Sequence, residues 1–241
     1  MNRTGYPTRH IAATRINNIV LVHGAFADGS SWTDVITRLQ RQGYHVTAVQ
    51  NPLTSLAADV TAVQRVISRQ LGDVLLVGHS WAGAVVAEAG NSPRVKGLVF
   101  LSALVPDSHE SVVELLAKRH APMEGMKPDA DGLVWLDDPD AYRTVMAADV
   151  PMERVHLLAA TQQPMSTSAF ADKLSQAAWH EKPTWYLITE NDNALSPVVQ
   201  SWIADNIGAR KTFLKSSHMS LFSHPDEVVS LIDRAANEAI P

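Results

Sequence analysis

Residues 74–87 read VLLVGHSWAGAVVA, and this stretch changes character in its middle. Its first four residues form an apolar run that is typical of a fully buried strand. Its last four residues are small and apolar and open a predicted helix. Gly78 and Ala82 lie two positions on either side of Ser80, where a sharp strand-to-helix turn needs small residues because the neighbouring backbone comes close. The stretch therefore predicts a buried strand, a strained turn that carries Ser80, and a helix.

Similar short apolar runs recur on both sides of this stretch, at residues 19–22, 45–49, 98–101, 185–188 and 211–214. Between them lie segments with apolar residues at helical spacing. One runs from Trp32 and stops at Gly43, one contains Val60 to Leu71 and stops at Gly72, and the last opens at Pro225. This alternation predicts a mostly parallel sheet of about six strands with helices on both faces. Functional residues of such sheets lie at the carboxyl ends of the strands.

The composition excludes several classes of protein. The chain has 241 residues, 20 basic and 25 acidic side chains, a net charge of -5 and no cysteine. The absence of surplus positive charge disfavours a nucleic-acid partner. Without a thiol there is no disulfide, no metal-thiolate site and no cysteine nucleophile, and we expect neither a metal nor a cofactor.

The ends and the longest apolar stretch bear on organisation and location. Residues 1–15 are predicted to form a flexible arm without the apolar core of a signal peptide, and residues 16–241 a single domain. The apolar stretch at residues 97–105 is too short to cross a bilayer, so we expect no membrane partner. A cytoplasmic protein is the resulting expectation. The oligomeric state stays open, with a homodimer as one possibility.

The segment around Ser80 resembles the nucleophile elbow of the α/β-hydrolase family, Gly-x-Ser-x-Gly, with Ala82 where the second glycine usually sits. The resemblance extends over residues 19–240. It implies the α/β-hydrolase fold with a helical cap inserted at about residues 106–182. It also implies a serine nucleophile that is followed along the chain by an acid and then a histidine.

The histidine and the acid each have a first choice and alternatives. His218, between the last strand and the last helix, resembles the histidine of the family, and His224 is the rival. Asp192 matches the position of the acid, after the strand at residues 185–188 and before the proline that opens the next helix. Glu190 and Asp107 are the alternatives, the latter because some family members carry the acid after the preceding strand.

The family resemblance also implies an oxyanion hole formed by two backbone N–H groups. Its donors are expected at Ala25, which follows His23-Gly24 after the first strand, and at Trp81, which follows the nucleophile. We interpret His23 as a buried, hydrogen-bonded residue and not as a proton donor or acceptor in the reaction. His79 is expected to pack against the elbow or orient it.

Residues 106–182 are rich in methionine and aromatic residues, namely Met123, Met126, Met146, Met152, Met165, Trp135, Tyr142, Phe170 and Trp179. Methionine adapts to varied apolar partners, so this composition predicts an apolar substrate pocket under the cap, although simple packing of the cap explains any single methionine. Within the site we expect Phe26, Met219 and Trp135 to contact the substrate.

The expected function is that of a serine carboxylesterase acting on small or medium-sized, largely uncharged esters. The resemblance is strongest to the branch that contains plant methylesterases, hydroxynitrile lyases and many bacterial esterases. The lyases characteristically have threonine where this chain has Gly24, and lysine where it has Met219, and both differences favour an esterase. Perhydrolysis of the haloperoxidase type, carbon-carbon hydrolysis, and a hydrolase-derived receptor for a small ligand are the alternatives.

Overall fold

A computed structural model describes residues 15–240 of the chain, so the predicted N-terminal arm lies, except for Arg15, outside the described residues. The strands are β1 (Asn18–Val22), β2 (His45–Val49), β3 (Val74–His79), β4 (Val95–Leu101), β5 (Leu133–Val134), β6 (Met165–Ser166), β7 (Thr184–Thr189) and β8 (Arg210–Leu214). The α-helices are α1 (Thr33–Arg41), α2 (Leu56–Ser68), α3 (Ala82–Ala89), α4 (Val112–Ala117), α5 (Pro139–Met146), α6 (Met152–Thr161), α7 (Pro197–Asn206), α8 (Ser220–Ser223) and α9 (Pro225–Glu238).

Six of these strands form one parallel sheet in the order β2-β1-β3-β4-β7-β8. The sheet confirms the predicted α/β architecture and all six predicted strands. The strand order reverses between β1 and β3, because β2 follows β1 along the chain but lies on its other side. Crevices at such a reversal are the usual ligand sites of open parallel sheets, and here the loops after β1 and β3 meet.

Each face of the sheet has its own hydrophobic core because successive strand residues point to opposite sides. Val20 and Leu76 pack with helices α2, α3 and α7 on one face. Leu21 and Leu75 pack with α1 and α9 on the other face. Every residue of β1 and β3 is buried, as the unbroken apolar runs predict for central strands.

The helix ends follow local sequence signals, with one correction. Gly43 and Gly72, where the sequence predicts that the first two helices stop, have φ angles of +83° and +107°, in the left-handed region that favours glycine. Helix α2 is capped at its start by Ser55, whose side chain accepts a hydrogen bond from the N–H of Ala58. The prediction that Leu71 lies on its apolar face is wrong, because α2 ends at Ser68 and Leu71 is 95% exposed in the following turn.

The chain between β4 and β7 builds a separate layer over the carboxyl ends of the strands. It contains α4, α5 and α6 and the two-stranded antiparallel ribbon of β5 and β6. This segment interrupts the alternation of strand and helix where the sequence predicts a cap. Its residues close one side of the cavity described below.

Two kinds of feature are missing from residues 15–240. No helix in this part of the chain has both the length and the apolar character that a bilayer span requires. Nor do its histidine, aspartate and glutamate side chains form a group of three or more arranged to hold a metal ion.

Candidate active site

Ser80 lies in a strained turn between β3 and α3. Its φ angle is +55°, in the left-handed region that residues with a Cβ atom rarely adopt. The turn is held by hydrogen bonds from the N–H of Ser80 to the carbonyl of Leu101 (3.1 Å) and from the N–H groups of Gly83 and Leu104 to the carbonyl of Ser80 (3.0 Å each). This backbone keeps the serine side chain facing a cavity.

The small residues around Ser80 are required by close backbone contacts. A Cβ atom at Gly78 would lie 2.7 Å from Val86, and one at Gly83 would lie 2.3 Å from the carbonyl oxygen of Leu104. Ala82, by contrast, is accommodated with its methyl group fully buried. The departure from the family pattern at Ala82 is therefore compatible with the turn, and the close approach that excludes a side chain occurs at the next residue, Gly83.

Asp192 and His218 form a buried pair. The Nδ1 atom of His218 lies 2.6 Å from Oδ2 of Asp192, and both side chains are almost completely shielded from solvent. Asp192 follows β7, and His218 lies between β8 and α8, so the two loops meet at the carboxyl edge of the sheet. His218 lines the same cavity as Ser80.

Four further donors hold the carboxylate of Asp192. Its Oδ1 accepts hydrogen bonds from the N–H groups of Ala194 (2.7 Å) and Leu195 (2.8 Å). Its Oδ2 accepts from the hydroxyl of Thr189 (2.7 Å) and from Nε2 of Gln200 (3.0 Å). Gln200 is fully buried and also accepts from the N–H of Thr189 (2.9 Å), so it fixes both the acid and its loop.

The environment keeps Asp192 ionised. Burial acts to raise the pKa of this carboxyl, but the neighbouring His218 and the hydrogen bonds outweigh burial and hold the pKa below its ordinary value. An ionised Asp192 accepts the Nδ1 proton of His218, which leaves Nε2 as the free lone pair of a neutral imidazole. The pair can therefore act as an oriented general base.

The rival residues are placed elsewhere. His224 contacts Ser223 and lies 3.5 Å from Asp149. Asp107 is paired with His180, at 2.7 Å, and Glu190 is exposed. None of these three lines the cavity that Ser80 and His218 share.

His79 connects the elbow to the histidine loop. Its Nε2 donates a hydrogen bond to the carbonyl oxygen of His218 (2.8 Å), and the two imidazole rings lie 4.7 Å apart. The hydroxyl of Ser102 donates to the same carbonyl (3.3 Å). These contacts agree with the interpretation that His79 packs beside the elbow and orients it.

Replacing His79 with glutamine should make the protein less sensitive to acid. Burial lowers the pKa of His79 from 6.5 to about 3, so the folded state keeps this ring neutral while the unfolded chain protonates it. The contribution of the neutral His79 ring to the free energy of unfolding is complete above pH 6.5 and is lost as pH falls from there toward 3. This loss amounts to about 2 kcal/mol near pH 5.

The measurement is the free energy of unfolding in urea at pH 7 and pH 5. The His79→Gln variant, which keeps an N–H donor for the carbonyl of His218, should lose about 2 kcal/mol less than the wild type over this range. The same replacement at the exposed His45 is the matched control and should leave the pH dependence unchanged. Equal losses of unfolding free energy in the wild type and His79→Gln would contradict the conclusion that the folded state keeps His79 neutral at pH 5.

The loop after β1 brings Ala25 beside the elbow. Ala25 and Trp81, the two expected oxyanion donors, line the cavity together with Ser80 and His218. Gly24 allows this approach, because a Cβ atom there would lie 2.8 Å from both the Cβ of Ser80 and the carbonyl oxygen of His79. The four residues thus surround one space from the carboxyl ends of three strands, β1, β3 and β8.

His23 is a buried residue with a complete set of neutral hydrogen bonds, as interpreted from the sequence. Its Nδ1 donates to the carbonyl of Gly24 (2.9 Å), and its Nε2 lies 3.3 Å from Nε2 of Gln163 in the cap. Burial lowers the pKa of His23, which favours the neutral ring. It supports the loop that carries Ala25.

The cavity has a volume of about 710 Å³ and is lined mainly by apolar side chains from the cap and the elbow. The lining includes Phe26, Trp135, Met123, Met126, Met146, Leu116, Val134, Leu136, Phe170, Leu195 and Val199. Its charged members, Glu124 and Lys127, are exposed to solvent. The buried part of the space therefore suits an apolar group.

The predicted substrate contacts fall into two groups. Phe26 and the half-exposed Trp135 line the cavity. Met219 does not: its side chain is fully buried in the core on the α1 and α9 side of the sheet, because the main chain turns away from the cavity directly after His218. Met165 is fully buried in the core on the other face, and the partly buried Met152 packs against the core on the α1 and α9 side, so neither lines the cavity.

The hydrogen bonds of two buried residues near the site, Gln200 and Tyr142, were not predicted from the sequence. Gln200 is a polar residue on the inward face of α7, beside the apolar Val199 and Ile203, and this position was a usable signal. Tyr142 of the cap donates a hydrogen bond from its hydroxyl to the carbonyl of Phe26 (2.6 Å). Nothing in the sequence pairs Tyr142 with Phe26, which lies 116 residues earlier.

The chain is similar to known proteins over most of its length. Residues 19–231 match the family described as the alpha/beta hydrolase family. The chain belongs to the alpha/beta hydrolase family. It is 30% identical to an alpha/beta hydrolase, nvfD, of Aspergillus novofumigatus, over 92% of this chain and 97% of that protein.

Other relatives of this alpha/beta hydrolase are esterases by name. The chain is 26% identical to the putative methylesterase 19 of Arabidopsis thaliana, over 91% of this chain and 97% of that protein. Among solved structures, a pyrethroid hydrolase from Sphingobium faniae superposes with a TM-score of 0.78 at 21% identity, over 92% of this chain and 98% of that chain. This last likeness concerns the fold.

Proposed function

We propose that the chain is a serine carboxylesterase that needs no cofactor and hydrolyses small or medium-sized, largely uncharged esters. The observation that carries the proposal is the buried Asp192–His218 pair, whose histidine lines the same cavity as a serine in a strained elbow. The full-length relative named as a putative methylesterase supports an ester as the substrate.

The proposed reaction has two halves, the formation of an acyl-enzyme and its hydrolysis, and the same groups act in both. His218 takes the proton of Ser80 as the serine oxygen attacks the ester carbonyl carbon. The N–H groups of Ala25 and Trp81 stabilise the oxyanion of the tetrahedral intermediate. Its collapse releases the alcohol, which receives the proton from His218, and leaves an acyl group on Ser80. His218 then takes a proton from water as the water oxygen attacks the acyl carbon, and it gives this proton to the serine oxygen as that oxygen leaves, so the acid is released and Ser80 is regenerated.

The cavity favours hydrolysis over hydroxynitrile lyase chemistry. A threonine in place of Gly24 would bring its Cβ atom within 2.8 Å of Ser80, so the elbow leaves no room for that side chain. The position of Met219, where the lyases carry lysine, is buried outside the cavity. A charged group of that kind would not reach a substrate bound beside Ser80.

The purified protein should hydrolyse p-nitrophenyl esters, with activity that depends on acyl length. The apolar space of about 710 Å³ should accept short and medium acyl chains and lose activity once the chain outgrows it. The measurement is kcat/KM for acetyl to hexadecanoyl esters, with protein pretreated by a phosphonate as the control. A folded protein that hydrolyses none of these esters would contradict the proposal.

A further inference from the structure

Asp59 is a fully buried carboxylate that the proposed reaction does not use. It lies in the first turn of α2 and accepts three hydrogen bonds. Oδ1 accepts from the N–H of Leu53 (2.8 Å), and Oδ2 accepts from Nδ2 of Asn51 (3.0 Å) and from the indole N–H of Trp81 (2.9 Å). The donors come from the loop after β2 and from the elbow after β3.

These contacts connect Asp59 to both halves of the proposed oxyanion hole. Trp81 carries one of the two backbone donors, and its indole is anchored directly on Asp59. Asn51 also donates to the carbonyl of His23 (3.1 Å), which belongs to the peptide that precedes Gly24 and Ala25. A chain of two hydrogen bonds therefore runs from Asp59 to the loop that carries the other donor.

Packing alone does not account for a carboxylate at this position. Burial raises the pKa of Asp59, and the hydrogen bonds from Asn51, Trp81 and Leu53 only partly oppose this effect. Within residues 15–240, no lysine or arginine forms an ion pair with it. Burying a carboxylate without a cationic partner lowers the free energy of unfolding, and an apolar residue of similar volume would fill the same space with less destabilisation.

The bonds of Asp59 hold backbone that would otherwise relax. Leu53, which donates to Oδ1, has a φ angle of +61°, an unfavourable value for a leucine. Asn51 is fully buried, and its two donor contacts, to Asp59 and to His23, fix the direction of its amide. Displacing the carboxylate would free both contacts in this loop at once.

We propose that Asp59 is a positioning residue that sets the geometry of the oxyanion hole by anchoring Trp81 and, through Asn51, the loop that carries Ala25. The inference rests on the proposed esterase function. Because oxyanion donors act mainly in the transition state, a misplaced hole lowers kcat and leaves substrate binding nearly unchanged. A purely structural role would instead reduce the number of folded sites.

The test is the Asp59→Asn variant, which keeps the volume of the side chain. It replaces one acceptor oxygen by an NH₂ donor that would face the N–H donors of Leu53, Asn51 or Trp81. The matched control is Asp172→Asn, because Asp172 accepts a hydrogen bond from Leu56 at the start of the same helix (3.0 Å). Active-site concentration is titrated with a fluorophosphonate, and kcat per titrated site and KM are measured on a p-nitrophenyl ester. Inhibition by an aryl trifluoromethyl ketone reports affinity for a tetrahedral adduct.

Asp59→Asn should lower kcat per titrated site by about 10- to 100-fold and weaken the trifluoromethyl ketone to a similar extent, with KM changed less than about threefold. Asp172→Asn should stay within about twofold of the wild type. An unchanged kcat per site in Asp59→Asn, or a loss confined to the number of sites, would overturn the inference while leaving the esterase assignment intact. A wild type without ester hydrolysis would overturn both.

A second variant covers the case in which Asp59→Asn does not fold. Trp81→Phe removes the indole N–H that Asp59 binds and keeps the backbone N–H of residue 81. It should lower kcat per titrated site and the affinity for the trifluoromethyl ketone by at least about fivefold, in parallel. Trifluoromethyl ketone affinity equal to that of the wild type would overturn the inference.

Discussion

The Ser80→Ala variant should lose ester turnover, with kcat/KM lower by on the order of 10⁴- to 10⁶-fold. The reason is that no other group can form the acyl-enzyme at the elbow, where the φ angle of +55° directs the side chain of Ser80 into the cavity. Alanine fits the same space without new contacts, so the fold should be retained. The measurement is kcat/KM for the best p-nitrophenyl ester together with the Tm.

The control for Ser80→Ala is Ser68→Ala at the exposed end of α2, which should keep wild-type activity. A Ser80→Ala variant with more than about a tenth of wild-type kcat/KM and an unchanged Tm would show that the ester is hydrolysed by another group. The proposed covalent mechanism would then be wrong.

The Asp192→Asn variant should lower kcat by roughly 10⁴-fold. The amide cannot stabilise an imidazolium, and its N–H₂ group favours the tautomer of His218 that carries the proton on Nε2, where the base needs a lone pair. The NH₂ group of the new asparagine would also face other donors. These are the N–H groups of Ala194 and Leu195 if it replaces Oδ1, or the hydroxyl of Thr189 and the amide of Gln200 if it replaces Oδ2. The measurement is kcat and KM, with the Tm to follow the stability of the loop.

The control for Asp192→Asn is Asp107→Asn, which changes the alternative acid of the sequence analysis. Because Asp107 is paired with His180 and does not line the cavity, this variant should retain activity within about twofold. A large loss in Asp107→Asn together with a small loss in Asp192→Asn would reverse the assignment of the acid.

The centre of the sheet was predictable because the strands β1, β3, β4 and β7 are buried on both faces. Fully buried strands need unbroken apolar runs, and the runs at residues 74–77 and 185–188 lie inside β3 and β7. The strand ends were less predictable, because polar or small residues at the edges, such as His79 and Thr189, extend the ladder through backbone hydrogen bonds alone. The error at Leu71 has a similar cause, because the spacing of apolar residues alone does not indicate where a helix ends.

The candidate site was predictable where it follows the chain locally. Ser80, Asp192 and His218 each come directly after a strand, and the parallel sheet brings those strand ends together. Adjacency along the chain did not predict the position of Met219. Met219 follows His218 in sequence, yet its side chain lies in the core on the α1 and α9 side of the sheet and does not line the cavity. Asp59 was not predicted, because its partners are brought to it by two separate segments of the fold, the loop after β2 and the elbow after β3.

The most direct test of the central claim is the intact and peptide mass of the protein after reaction with a fluorophosphonate. We expect one adduct per wild-type chain, on the peptide that contains Ser80, formed in step with the loss of ester turnover, and no adduct in Ser80→Ala. An adduct on another residue, or full turnover in a chain whose Ser80 is modified, would contradict the claim that Ser80 is the nucleophile of this alpha/beta hydrolase.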